Sequence, residues 1–147
     1  MMRTFFLVVV ALMVVRAAAF DATAQIVDKQ VVHAFLATDE KGKSATTFPP
    51  DVLNIYLIWK GEQLQPGDVI RVLWIAEDVG QASPTESKIG ERSIPVHKSN
   101  DGGSCFVSRP REQLWPVGKY RAEIYIGKRV VGVLRFTIRA EVNVETR

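Results

Sequence analysis

Hydrophobic and polar positions alternate with a period of two along most of this chain, and no long amphipathic helix of period 3.6 is evident. Asn54 to Lys60 reads NIYLIWK, rich in β-branched and aromatic residues that suit a pleated surface. Asp68 to Ala76 reads DVIRVLWIA, apolar at nearly every position, as in a strand buried on both faces or central in a sandwich. From Lys119 to Ile126, Tyr120, Ala122, Ile124 and Ile126 share one face, opposite Arg121, Glu123 and Tyr125. Arg129 to Ala140 repeats the pattern, with Val130, Leu134, Phe136 and Ile138 set against Arg135, Thr137 and Arg139. Gly127-Lys128 separates these last two segments. A two-residue loop with glycine first predicts a hairpin closed by a primed turn, whose twist matches that of the strands.

Shorter segments complete the inventory. Ile26 to Thr38 predicts a first strand, although VVHAFLA also fits one or two helical turns. Glu91 to His97 and Ser104 to Ser108 are further strand candidates. The punctuation between them is turn chemistry: Glu40-Lys41-Gly42, Phe48-Pro49-Pro50-Asp51, Pro66-Gly67-Asp68, Ser83-Pro84-Thr85 and Asn100-Asp101-Gly102-Gly103. The longest polar stretch, Glu77 to Lys88, reads as a loop. About seven strands with turn signals between them predict an all-β, immunoglobulin-like antiparallel sandwich.

The first residues change the domain picture. Arg3 precedes an apolar run from Phe5 to Val15, followed by the small residues Ala17, Ala19, Ala22 and Ala24. This is the layout of a secretory signal peptide. A membrane span needs roughly 20 apolar residues, and Arg16 interrupts this run. Cleavage is expected after Ala24, with Ala19 as the alternative. The expected division is a signal peptide over 1–24, a sandwich over 25–140 and a short polar tail over 141–147. The exported form is periplasmic or secreted.

Charge and cysteine narrow the partner classes. Losing Arg3, Arg16 and Asp21 reduces the 19 basic and 16 acidic residues to 17 and 15. The basic residues are scattered rather than clustered, so no nucleic-acid face is predicted. Cys105 is the single cysteine, which excludes an internal disulfide.

One stretch carries a resemblance. Leu114-Trp115-Pro116-Val117-Gly118-Lys119-Tyr120 resembles the turn leading into strand F of fibronectin type III and related sandwiches. The resemblance implies a tyrosine corner: Pro116 and Gly118 make the turn, Leu114 packs beneath, and the Tyr120 hydroxyl bonds backbone a few residues upstream. Trp74 resembles the core tryptophan of strand C. Across nearly the whole mature chain the sequence is similar to small exported bacterial proteins of unassigned function that carry an immunoglobulin-like domain. The shared pattern is Phe48, Pro50 and Asp51; Tyr56 and Trp59; Gly67, Asp68 and Trp74; Trp115, Pro116, Gly118 and Tyr120; Phe136 and Ile138. The resemblance implies architecture and brings no catalytic residues.

Candidate chemistry is sparse. His33, His97 and Cys105 lack the short spacing of a zinc motif, so neither a metal nor any other cofactor is predicted. GGSCF at Gly102 to Phe106 lacks the closing glycine and following helix of a nucleophile elbow. A His97–Cys105 pair across one turn is the remaining enzyme-like arrangement, and the expectation is that the protein is not an enzyme. Among the aromatics, Trp115 and Tyr125 are the candidates for a partner-binding or glycan-stacking surface, with Trp115 alternatively packed into the corner. The function expected is a non-enzymatic interaction module that binds a protein partner in the cell envelope through a sandwich edge or loops. Binding of a cell-wall polymer through exposed aromatics is the alternative, and a metal- or thiol-dependent enzyme is a third reading.

Overall fold

The computed structural model describes residues 30–141. The signal segment over 1–24 and the tail from 142 onward lie outside them. The described residues form eight strands: β1 (Val31–Ala37), β2 (Thr47–Phe48), β3 (Asn54–Glu62), β4 (Val69–Asp78), β5 (Ser87–Pro95), β6 (Gly102–Ser108), β7 (Gly118–Ile126) and β8 (Arg129–Ile138). VVHAFLA is a strand rather than a helical turn because its amides pair along β3 from Val31↔Glu62 to Ala37↔Tyr56.

Two sheets result, ordered β1-β3-β6 and β2-β8-β7-β4-β5. All pairings are antiparallel except that of the two-residue β2 with β8. This is an immunoglobulin-like sandwich, with Trp74 on β4, an inner strand of the larger sheet between β7 and the edge strand β5. The inner faces meet in one core: Ile55, Leu57 and Trp59 from the smaller sheet, and Ile70, Val72, Trp74, Tyr120, Ala122, Ile124, Phe136 and Ile138 from the larger. Phe136 is the aromatic hub, stacked on Tyr120 at 5.2 Å and edge-on to Phe48 and Trp74 at 5.8 and 6.2 Å.

Three boundaries or faces differ from the sequence reading. The expected loop from Glu77 to Lys88 is shorter, because β4 runs to Asp78 and β5 starts at Ser87; a 3₁₀ turn, Gly80–Ala82, lies between them. Strand β4 buries one face fully while Arg71 and Leu73 on the other are only half-buried, so no second layer covers it. Val130, which strict alternation puts on the core face, is 47% exposed. Tyr125 pairs with Val130 and Ile124 with Gly132, which leaves Val131 as the extra residue of a bulge. The bulge reverses the facing, and Val131 packs on the core in place of Val130.

The β7–β8 hairpin is closed by Gly127-Lys128, with Gly127 at φ +59°. Positive φ at the first loop residue alone is the type II′ pattern, as the glycine-first loop predicts.

Candidate functional site

The corner before β7 is held from three directions. Trp115 N–H donates to the Pro50 carbonyl oxygen at 2.8 Å, and its indole Nε1 donates to the Val52 carbonyl oxygen, also at 2.8 Å. The Tyr120 hydroxyl donates to the Pro116 carbonyl oxygen, four residues upstream, at 2.6 Å. The Trp115 and Tyr120 rings meet edge-on at 5.9 Å. Gly118 has φ +154°, and a Cβ there would stand 2.2 Å from the Asp78 carbonyl oxygen and 2.8 Å from Val79 Cα. Only glycine fits between the corner and the end of β4. Trp115 is 4% exposed and Leu114 is 60% exposed, the reverse of an exposed tryptophan over a packed leucine. The indole goes inside because its N–H caps a loop carbonyl that leucine would leave unpaired. With its ring covered, Trp115 offers no platform to a partner.

Tyr125 stands on the outer face of the larger sheet within a charged ladder. Its hydroxyl donates to Glu123 Oε2 at 2.5 Å, and the Arg71 guanidinium lies 4.7 Å above its ring. Arg121, on the same strand, is held among Glu123 (2.7 Å), Glu86 (2.5 Å) and Glu77 (3.2 Å). Arg135 reaches Glu77 at 3.3 Å, and Glu91 takes Lys88 at 3.0 Å and Arg71 at 3.6 Å. Hydrogen bonds from Tyr125 and Arg121 lower the Glu123 pKa. That from Lys88 lowers the Glu91 pKa. Four cations meet four carboxylates, so the charges of this ladder balance among themselves. One ring face of Tyr125 and its hydroxyl are already engaged.

Cys105 and His97 do not form a reactive pair in this arrangement. Cys105 is buried on the inner face of β6, and burial pushes its thiol up to about 11. A thiol that stays protonated at neutral pH is a poor nucleophile. His97 is exposed in the loop before β6, where its backbone N–H donates to Asp101. His33 is exposed on β1 and sits 3.5 Å from Glu62. Among the described residues no three His, Cys, Asp or Glu side chains group as metal ligands.

The least protected surface lies elsewhere, on the side where both sheets end. Strand β5 is the last strand of the larger sheet and β6 the last of the smaller. A groove of about 230 Å³ runs between them, lined by Trp74, Gly90, Arg92, Phe106, Val107 and Ser108 among others. Phe106 is 38% exposed and packs against Tyr56 with ring centroids 5.3 Å apart. At the groove the Trp74 indole Nε1 is buried and has no hydrogen-bond partner. Alternation predicts β6 and the burial of Trp74, but the groove depends on β5 and β6 both ending their sheets on one side. The signal that distinguishes the site was present: Gly102 to Ser108 carries no charge and no proline.

Comparison with known proteins gives fold likeness only. No family profile matches the sequence, and no curated protein does either. Among solved structures, a Listeria innocua β-glucosidase in complex with gluconolactone superposes with TM-score 0.50 at 8% identity, over 77% of this chain and 16% of that one. The Pseudomonas fluorescens alkylpurine DNA glycosylase AlkC, bound to DNA containing an abasic-site analogue, gives TM-score 0.48 at 11% identity, over 76% and 30%. An immunoglobulin-like protein from Pseudomonas aeruginosa gives 0.46 at 12% identity, over 76% of this chain and 97% of that one. The chain thus spans less than a third of the glycosylase and of the glucosidase. No helix among the described residues is long and apolar enough to cross a membrane.

Proposed function

We propose that the mature chain is an exported, non-enzymatic binding module of the cell envelope that takes a protein partner through a sandwich edge. The observation that carries this reading is the open side of the sandwich. There β5 and β6 each end a sheet, with an aromatic-lined groove between them. A sheet edge presents a row of free N–H and C=O groups to which an extended segment can add as a further strand. Export rests on the signal-like layout of residues 1–24. The burial of Cys105 and the internal neutralisation of the Tyr125 ladder support binding over catalysis as the work of this fold.

Incubation of the mature protein with envelope extract, followed by chemical cross-linking, is expected to give a discrete adduct with one envelope protein. Recovery of the monomer alone, across growth conditions, would contradict the proposal. With the Trp115 ring buried, Tyr125 alone of the two candidate aromatics is left to stack on a glycan. Tryptophan fluorescence that stays unchanged on titration with cell-wall glycans is the corresponding expectation.

A further inference from the structure

Four strands end the two sheets, and they are not equally guarded. Natural edges are blunted by charge, proline, bulges or extreme shortness. Strand β2 has two residues. Strand β5 carries Lys88, Glu91, Arg92 and Pro95, and its register against β4 shifts between Trp74 and Ile75. Strand β1 packs against β8 of the other sheet, where Arg129 bonds Gln30 at 3.1 Å. Strand β6 has none of these devices. Its seven residues, GGSCFVS, hold no charge and no proline, and its register against β3 is unbroken from Asn54↔Ser108 to Lys60↔Gly102.

Two further observations point to what β6 takes. The first is a pair of orphan donors. Among the described residues, the only buried side-chain nitrogens without a partner are the indole N–H groups of Trp59 and Trp74. Each ring lies behind a glycine of an edge strand on this side. A Cβ on Gly103 of β6 would stand 3.4 Å from Trp59 Nε1, and one on Gly90 of β5 would stand 3.5 Å from Trp74 Cδ1. A buried donor left without an acceptor is destabilising, so an incoming oxygen has a specific reward there. The second is an unbalanced cation. Glu91 is occupied by Lys88 and Arg71. Arg92, beside it on the groove, has no carboxylate partner among the described residues, and its NH1 reaches only the Glu91 carbonyl oxygen. Arg92 lines the same groove as Phe106, Val107 and Ser108 of β6.

We infer that β6 accepts an extended peptide segment as a fourth strand of the smaller sheet, and that the segment has alternating apolar side chains and a carboxylate directed to Arg92 and the Trp74 edge. This rests on the binding-module reading above and specifies its edge and its ligand. A lysine at the central position would face Arg92, which is how the site would discriminate.

The test uses the mature protein and three capped heptapeptides of alternating valine and threonine, with glutamate, glutamine or lysine at the centre. Binding is followed by tryptophan fluorescence and by amide exchange. The glutamate peptide is expected to bind at least tenfold tighter than the lysine peptide and to slow exchange of the Ser104–Ser108 amides. Arg92→Glu should reverse the preference. The double variant Ser104→Lys, Phe106→Lys, which places two charges along an exposed edge, should weaken binding tenfold or more; Gln81→Lys, one added charge in the turn between β4 and β5, should not. Equal binding of the glutamate and lysine peptides, retained binding by the double variant, or no binding of any peptide would overturn the assignment. If the parent still cross-links to an envelope protein in those cases, the module reading stands and only the edge is wrong. If the extract yields monomer alone, the module reading itself fails.

Discussion

Single residues set the local limits of this fold. Gly118 is the sharpest case, since a Cβ would meet the end of β4 at 2.2 Å. Overpacking of this kind costs about 1–3 kcal/mol and sometimes more. Gly118→Ala is therefore expected to lower the urea midpoint by an equivalent of at least ~2 kcal/mol. Tyr120→Phe keeps the ring stack on Phe136 and loses one hydrogen bond, so about 1 kcal/mol is expected at unchanged m-value. Cys105 adds a pH signature. Its thiol is raised from 9.0 to about 11 in the folded state. The folded form therefore holds its proton where the unfolded form has lost it. The stabilisation from this residue is complete below about pH 9 and is lost as pH rises to 11, about 2–3 kcal/mol in all. Tyr120, raised to about 12 by burial, extends the same trend upward. Cys105→Ala should flatten the pH 9–11 part of the stability profile, and an unchanged slope would count against the burial of this thiol.

At the scale of elements, the period of two made the strands legible, and Gly127-Lys128 made the pairing of the last two legible as a hairpin. The ends read from the sequence at Asn54, Ser108 and Ile126 coincide with those of β3, β6 and β7. What alternation does not encode is its own interruption. Val130 went to the solvent because Val131 forms a bulge, a feature of the pairing between β7 and β8 rather than of either strand alone. The corner shows the same limit. Trp115 and Leu114 are both apolar, and only the acceptor offered by Val52, far away in sequence, decides which one turns inward. The charged ladder is also a product of pairing. Arg121 and Glu123 are neighbours on one strand face, but Glu77 and Glu86 come from β4 and the loop before β5. Arg121→Met removes the cation shared by three carboxylates and leaves only Arg135 on Glu77. A loss of ~1 kcal/mol is expected at neutral pH, given how exposed Glu86 is. That deficit should shrink as the pH falls and the carboxylates protonate. A deficit that grows on acidification would contradict the arrangement.

For the whole molecule, the sandwich matters by what it leaves open. One side ends in a charged, bulged strand and an uncharged, regular one, with an unpaired indole N–H at the groove between them. The architecture was readable from composition and turn spacing. The open side was not, because which strands become edges depends on the order in which non-adjacent segments pair. The most direct measurement attaches a photo-activated cross-linker at position 104 on β6 of the mature protein, and in a second sample at position 128 in the β7–β8 turn. Each is irradiated in envelope extract. The account predicts a discrete adduct with a single envelope protein from position 104 and none from position 128. Monomer alone from both positions, or the same adduct from both, would contradict it.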